Sequence, residues 1–108
     1  MAVRRASDRA ANLIHSFDAA MLQDTMTRML VKDAGPMSFV HDSYGATAGD
    51  MDDMAVTLRE SAVTIYSDDQ LGDLREWFGK FVKKELPPVP TYGSMSVNEV
   101  STSPYFFA

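Results

Sequence analysis

The residues of this chain best suited to chemistry form one short run, Val40-His41-Asp42-Ser43-Tyr44-Gly45. Its turn-forming residues follow an apolar stretch, Met37 to His41, so the pattern predicts a β-hairpin that carries Asp42 at its tip. Mg²⁺ prefers octahedral oxygen coordination and usually takes one or two protein carboxylates together with substrate phosphates. Two such ions activate an attacking hydroxyl and stabilise a leaving pyrophosphate. Asp42 is therefore the candidate magnesium ligand.

A structural role for the same run competes with this interpretation. In that alternative, Asp42 only closes an Asx-turn and Gly45 supplies the backbone freedom that the turn needs. Spacing alone favours this alternative. Three further acidic residues open a predicted helix, where carboxylates usually act as caps and as partners of the helix dipole; they are Asp50, Asp52 and Asp53.

His15 and Asp18 are the other pair of residues that resembles a metal site. They stand three residues apart in a predicted helix, a spacing that brings two side chains together. A lone His–Asp pair is a weak signal, so we interpret His15 as a satisfied, partly buried histidine. Cysteine is absent and no serine lies in a nucleophile elbow, which excludes thiolate sites and a Ser/His/Asp triad.

Three helices are predicted to position these residues. In the first, apolar residues between Ala10 and Leu30 recur at three- and four-residue steps, with Ser7 or Asp8 as the cap and Asp33-Ala34-Gly35-Pro36 as the end. After the hairpin, whose return leg would run from Ala46 to Gly49, the second helix is predicted from a cap at Asp50 through Ile65, and the third from Leu71 to Val82.

The fold class expected is α+β: mainly helical, with a short antiparallel hairpin between a long helix and two further helices. Residues 1–7 are expected to be disordered, and residues 87–108 to form an extended tail that begins at a run of prolines. Three aromatics next to the last residue are unusual for an exposed terminus, so we expect that end to pack against something.

The charge balance constrains the partners. Ten Lys and Arg against fifteen Asp and Glu give a net charge of −5, the wrong sign for a self-sufficient nucleic-acid-binding module. Binding phosphates would require divalent cations or basic surface on another segment. No stretch approaches about eighteen consecutive apolar residues, and we expect a cytosolic protein with no membrane partner.

Three segments resemble one known family. His41-Asp42-Ser43-Tyr44-Gly45 resembles the third conserved motif of the single-subunit RNA polymerases of bacteriophages and mitochondria. Upstream, residues 11–18 are similar to the family's Pro-Asn-Phe-Val-His-Ser helix, with Ala11 where the family often has proline. Downstream, Leu86-Pro87-Pro88-Val89-Pro90 and the Phe107-Ala108 ending resemble the family's carboxy terminus. The order and spacing of the three make the resemblance specific.

The resemblance implies a role for each matching residue. Asp42 would be one of two aspartates that bind the catalytic Mg²⁺ ions, and His41 would support the neighbouring backbone and the nucleic-acid end. His15 would face the minor groove beside the newly formed pair. Ser43, followed by the aromatic Tyr44, favours RNA synthesis, because related DNA polymerases usually have glutamate at that position.

The resemblance further implies that Phe107 and the Ala108 carboxylate reach back towards the catalytic centre. The family's other metal aspartate, its nucleotide-binding lysine and its tyrosine-bearing helix lie in earlier segments. We therefore expect residues 1–108 to be a single partial domain, the palm hairpin and C-terminal extension of a DNA-directed RNA polymerase, inactive alone.

Its expected partners are the missing N-terminal, palm and fingers segments, together with DNA template, RNA and nucleoside triphosphates. The expected location is the cytoplasm of a phage-infected or prophage-bearing bacterium. The alternative is a non-catalytic remnant or protein-interaction module that keeps the fold and binds a partner through its aromatic residues.

Overall fold

The computed structural model describes the backbone of residues 2–107 and the side chains of residues 7–107. It begins with a long helix, α1 (Ala2–Val31), which starts earlier than the predicted cap at Ser7 or Asp8 and includes most of the stretch expected to be disordered. α1 ends at Val31, just before the predicted cluster of Asp33-Ala34-Gly35-Pro36. Asp33 adopts a left-handed φ of 56°, and the Asp33 and Ala34 N–H groups bond back to the carbonyls of Leu30 and Met29, a Schellman ending.

A two-stranded antiparallel hairpin follows, formed by β1 (Met37–Val40) and β2 (Ser43–Ala46). Val40 pairs with Ser43, so the turn is His41-Asp42, and the predicted turn at residues 42–45 with a return leg from Ala46 to Gly49 is wrong. His41 takes the left-handed conformation, with φ of 53°, and no described glycine has a positive φ. Gly45 instead faces Ser38 across the hairpin, where an added Cβ would meet the Ser38 hydroxyl oxygen at 2.5 Å.

A 3₁₀ turn (Ala48–Asp50) leads into the second helix, α2 (Met51–Ser67). Asp50 precedes α2 as predicted but does not cap it with its side chain. Its carboxylate accepts hydrogen bonds from the Gly35 N–H at 3.0 Å and from the Thr47 hydroxyl at 2.8 Å. Asp50 therefore ties the loop before the hairpin to the loop after it.

α2 packs along α1, and their contact holds the core. The buried residues are few. The apolar ones are Met21, Met29, Met54, Leu58 and Ala62, and the three small polar ones are Thr25, Thr57 and Ser61. Much of the predicted stripe on α1 lies outside this contact, since Ile14 is 53% exposed and Leu30 is 60% exposed.

The third helix, α3 (Gln70–Gly79), is shorter than predicted. The Asp69 side chain caps it by accepting a hydrogen bond from the Gly72 N–H at 3.1 Å. Arg75 then donates hydrogen bonds to the carbonyls of Leu86 (2.9 Å) and Pro87 (2.8 Å), which folds the proline run back beside α3.

The carboxy-terminal segment is not simply extended. It contains a 3₁₀ helix (Val97–Ser101), opened by a capping box between Ser96 and Glu99. Arg59 on α2 donates a 3.1 Å hydrogen bond to the Ser103 carbonyl, and Phe106 packs against the core cluster. The expectation that the aromatic terminus packs against the chain is confirmed for Phe106.

The assembly of these elements confirms the α+β class: mainly helical, with one short antiparallel hairpin. It is elongated, with a radius of gyration of 17.0 Å, where a compact domain of this length has about 13 Å. Its accessible surface is 8421 Å², against about 6,000 Å² for a compact monomer of its mass. Among the helices of residues 2–107, none combines the length and the apolar character required to cross a bilayer.

Candidate functional site

Asp42 is the second residue of the hairpin turn, and its side chain is exposed. Within residues 7–107, its carboxylate accepts no hydrogen bond and joins no ion pair; the ion pair found there is Arg28–Asp24. An Asx-turn would require a backbone N–H bonded to that carboxylate. The Asx-turn alternative therefore finds no support in this geometry, and both carboxylate oxygens face solvent without a protein partner.

The hairpin tip opens onto a cleft of about 420 Å³, here called the Asp42 cleft. Three residues of the hairpin line one side, Asp42, Ser43 and Tyr44. Residues at the start of α2 and Phe107 from the carboxy terminus line the remainder: Met51, Met54, Ala55, Leu58 and Phe107. Asp42 thus borders an open cleft whose other lining residues are mainly apolar.

Tyr44 forms the base of the hairpin tip. Its ring makes edge-to-face contacts with Phe39 at 5.5 Å and with Phe107 at 5.4 Å between ring centroids. Burial raises the pKa of Tyr44, and the charges of Asp18 and Asp42 raise it further. The phenol therefore stays neutral, and both carboxylates lie close enough to act on it.

Asp18 belongs to the turn of α1 that follows His15. The Tyr66 hydroxyl of α2 donates a 2.9 Å hydrogen bond to the Asp18 carboxylate. Partial burial, together with this hydrogen bond, raises the pKa of Tyr66 to about 12. Asp18 is thus held by Tyr66, and the described side chains show no hydrogen bond between Asp18 and His15.

His15 itself is exposed, so its interpretation as a partly buried histidine is wrong. The charges of Asp18 and Asp42 both raise the pKa of Tyr44, so the turn that follows His15 and the hairpin tip both lie near the Tyr44 hydroxyl. His41 and Ser43 flank Asp42 and are likewise exposed.

The carboxy terminus completes the arrangement only in part. Phe107 contacts Tyr44 and borders the Asp42 cleft, while Ala108 lies outside the described residues. Sequence reasoning missed the Asp18–Tyr66 pair, because 48 residues separate the two and no local pattern links them.

The single carboxylate of Asp42 suits magnesium better than it suits a metal whose ligands all come from protein side chains. Among the described residues, no three His, Asp or Glu side chains group closely enough to hold a metal ion. Mg²⁺ commonly uses one or two carboxylates and fills its other positions with water and phosphate oxygens. A single unpartnered carboxylate beside an open cleft matches one half of such a site.

Comparison with known proteins gives relatives in plants. The chain is 40% identical over 99 residues to "DNA-directed RNA polymerase 1A" of Nicotiana tabacum, a match that covers 89% of this chain and 62% of that protein. It is 40% identical to "DNA-directed RNA polymerase 1, mitochondrial" of Nicotiana sylvestris and 41% identical to "DNA-directed RNA polymerase 3B, chloroplastic" of Nicotiana tabacum. Each of these two matches covers 89% of this chain, but the chain spans only 10% of either relative.

These relatives correct one expectation. A location in the cytoplasm of a phage-infected or prophage-bearing bacterium is wrong, because the similar proteins come from plants and several are named mitochondrial or chloroplastic.

No solved structure matches this chain. The family model described as "DNA-dependent RNA polymerase" matches residues 2–86, which include α1, the hairpin, α2 and α3. The resemblance seen at the hairpin motif is therefore confirmed, and the chain belongs to the single-subunit, phage-type family of DNA-dependent RNA polymerases.

Proposed function

We propose that this chain supplies the Asp42 half of a magnesium site in a phage-type RNA polymerase, which adds ribonucleotides to RNA on a DNA template. One observation carries the proposal: an exposed carboxylate without a protein partner stands at the hairpin tip and borders the Asp42 cleft. It does so within the family's motif, in a chain that belongs to the family.

Asp42 would hold a cation through its free carboxylate oxygens. Bound there, Mg²⁺ would supply positive charge to activate an attacking hydroxyl and to offset the charge of a leaving pyrophosphate. The chain contributes rigidity, since the two-residue turn and the Tyr44 ring packed between Phe39 and Phe107 restrain the backbone of the hairpin tip.

The neighbouring residues would bind the nucleic acid. His41 would support the hairpin backbone and the RNA end, and His15, exposed on the turn of α1 before Asp18, would contact the minor groove of the new pair. Ser43 leaves room beside Asp42 where a glutamate would favour DNA synthesis. Phe107 would place the terminal carboxylate of Ala108 near the catalytic centre.

Catalysis would require polypeptide beyond this chain. A second aspartate, a nucleotide-binding lysine and a tyrosine-bearing helix would come from palm and fingers segments. The large exposed surface of 8421 Å² and the net charge of −5 support this part of the proposal, because apolar faces need covering and phosphates need basic surface. We propose that the chain alone does not polymerise RNA.

The relatives' names support an organellar setting. Several are called mitochondrial or chloroplastic, and we propose that the polymerase containing this segment transcribes in one of these organelles.

Complementation tests the proposal. The chain is combined with the remaining segments of a related polymerase, and RNA synthesis is measured on a DNA template with Mg²⁺. Asp42→Asn removes a charge with little change in volume, and we expect synthesis to fall at least about a hundredfold, since a catalytic metal ligand supplies several kcal/mol of transition-state stabilisation.

Asp52→Asn is the matched control, because Asp52 is an exposed carboxylate in the first turn of α2 and its loss should leave synthesis unchanged. Sedimentation checks that both variants assemble. Full synthesis by an assembled Asp42→Asn enzyme would remove Asp42 from the metal site.

A second candidate function is a protein-interaction module without catalysis. The exposed aromatics of α3 and the turn after it favour it, since Trp77 is 52%, Phe78 44% and Phe81 70% exposed. Stable assembly with the other segments, without any synthesis by the wild-type chain, would select this candidate.

A further inference from the structure

We propose that the end of α3 carries a binding surface for single-stranded nucleic acid, here called the aromatic–lysine surface and formed by Trp77, Phe81, Lys80, Lys83 and Lys84. The inference rests on the proposed function for the kind of nucleic acid met, but it concerns residues outside the Asp42 cleft. It names a partner for an aromatic face that the rest of the chain leaves uncovered.

The aromatic component consists of two rings on one side of a helical turn. Trp77 and Phe81 are separated by four residues, and their ring centroids lie 4.9 Å apart at 56°. Both are open to solvent, with Trp77 52% and Phe81 70% exposed. Exposed aromatic rings are the stacking partners that bases use in proteins that bind single strands without sequence preference.

A second face, formed by α3 and the turn after it, borders the proline run of the same chain and is only partly covered by it, since Phe78 is 44% and Val82 40% exposed. Leu71, Leu74, Phe78 and Val82 line a groove that the proline run bounds on the other side, where Arg75 fixes the carbonyls of Leu86 and Pro87. Trp77 and Phe81 lie outside this groove. They form an aromatic face, whereas packed helices usually contact one another through aliphatic faces.

The basic component consists of three lysines in five residues. Lys80 closes α3, bonding through its N–H to the Trp77 carbonyl at 3.2 Å, and Lys83 and Lys84 follow beyond the helix. All three are exposed, and within the described part of the chain none pairs with a carboxylate. Glu76 and Glu85 flank the three lysines, so residues 76–85 keep a net positive charge of one in a chain of net charge −5.

The lysine charges and the aromatic rings together make a single-stranded nucleic acid a better partner for this surface than an acidic protein segment. Unpaired ammonium groups bind phosphates of a strand, while bases stack on the adjacent rings, and neither interaction depends on sequence. An acidic peptide would satisfy the lysines but would leave the flat faces of the rings without a matching partner.

Trp77 is the single tryptophan of the chain, so its fluorescence reports on this surface directly. The intact chain is titrated with twelve-residue oligouridylate and oligothymidylate at about 50 mM salt. Stacking should quench the indole emission, and the association constant should fall with salt with a log–log slope of about −2, as expected for three phosphate contacts on a single strand.

Variants test the contributions of the lysines and of the aromatic rings separately. Changing the three lysines together to glutamine should abolish quenching, whereas changing them to arginine should retain it because the charge is kept. Phe81→Leu should weaken binding about tenfold, since it removes a ring but keeps an apolar side chain. Circular dichroism checks the fold; if the triple glutamine variant unfolds, Lys83→Gln alone should reduce the slope by about 0.7.

Three outcomes would overturn the proposal: no quenching by either oligonucleotide, unchanged binding by a folded glutamine variant, or equal quenching by polyglutamate of the same length. The last would assign the surface to an acidic protein segment. Asp42→Asn should bind the oligonucleotides like the wild-type chain, so failure of this surface and failure of the proposed metal site are distinguishable.

Discussion

The Tyr66 hydroxyl donates a 2.9 Å hydrogen bond to the Asp18 carboxylate and so joins the last turn of α2 to the turn of α1 that follows His15. The same carboxylate acts electrostatically on Tyr44 beneath the hairpin tip. One contact between the two long helices therefore also fixes the surroundings of the residues next to Asp42.

Tyr66→Phe should lower the free energy of unfolding by about 1 kcal/mol at neutral pH, because it removes one hydrogen bond to a charged acceptor at a partly exposed position. Urea denaturation followed by circular dichroism measures the change. Tyr105→Phe is the control, since Tyr105 is 85% exposed and its loss should have little effect.

The same bond predicts a pH dependence. The pKa of Tyr66 is raised in the folded chain from 10.0 to about 12, so its stabilising effect is complete below pH 10 and is lost as pH rises towards 12. The wild-type chain should therefore lose more stability than Tyr66→Phe between pH 10 and 12. Equal losses in both chains would show that the hydrogen bond does not form in solution.

Removal of the carboxylate should lower stability at Asp50 and have little effect at Asp42. Asp50→Ala deletes the acceptor of the Gly35 N–H and the Thr47 hydroxyl and should destabilise the chain by about 1 to 2 kcal/mol. Asp42→Ala removes an exposed side chain without a hydrogen bond and should change stability by less than about 0.5 kcal/mol. Thermal unfolding of the two variants compares them, and a larger loss for Asp42→Ala would contradict the structure.

The polar contact between α1 and α2 gives a fourth prediction. The Ser61 hydroxyl oxygen is buried without a hydrogen-bond partner in the described chain, so Ser61→Ala should be neutral or stabilising by up to about 1 kcal/mol. Thr57→Val keeps the volume but removes the acceptor that lies 2.9 Å from the Lys32 amine, and it should destabilise by about 1 kcal/mol. Chemical denaturation measures the stability of both variants. A larger loss for Ser61→Ala than for Thr57→Val would contradict the structure.

Phe106→Ala should release the carboxy-terminal segment from α2 while leaving the helix pair folded. Phe106 and Val100 are the residues of that segment that pack against the core cluster of Met21, Leu58 and Ala62, and truncation of Phe106 removes the larger of the two side chains. Amide exchange should accelerate in Val97–Ser101 and remain slow in the centre of α2. Tyr105→Ala, at an exposed neighbour, should leave exchange in both regions unchanged.

The sequence predicted the elements well where local chemistry decides them. The end of α1, the presence of a hairpin after Pro36 and the position of Asp42 in its turn all follow from apolar period and turn residues. The catalytic role of Asp42 stays a prediction, because a carboxylate at a turn serves several purposes equally well.

The details that failed depend on contacts beyond the local sequence. The turn was assigned around Gly45 because glycine adopts a positive φ most readily, whereas His41 adopts it here and Gly45 is required for its closeness to Ser38. The carboxy-terminal 3₁₀ helix had no period to detect, since its position is set by packing against α2. Asp18 and Tyr66 meet only after α1 and α2 have packed.

Arg75 and Tyr92 together restrain the conformation of the segment that follows α3. Arg75 fixes the start of the proline run, and the Tyr92 hydroxyl bonds to Asp69 where α3 begins. Proline restricts φ along the same stretch, so little conformational entropy remains to be lost when the distal aromatics return to the hairpin. A connection restrained in this way favours the contact of Phe107 with Tyr44 beside Asp42.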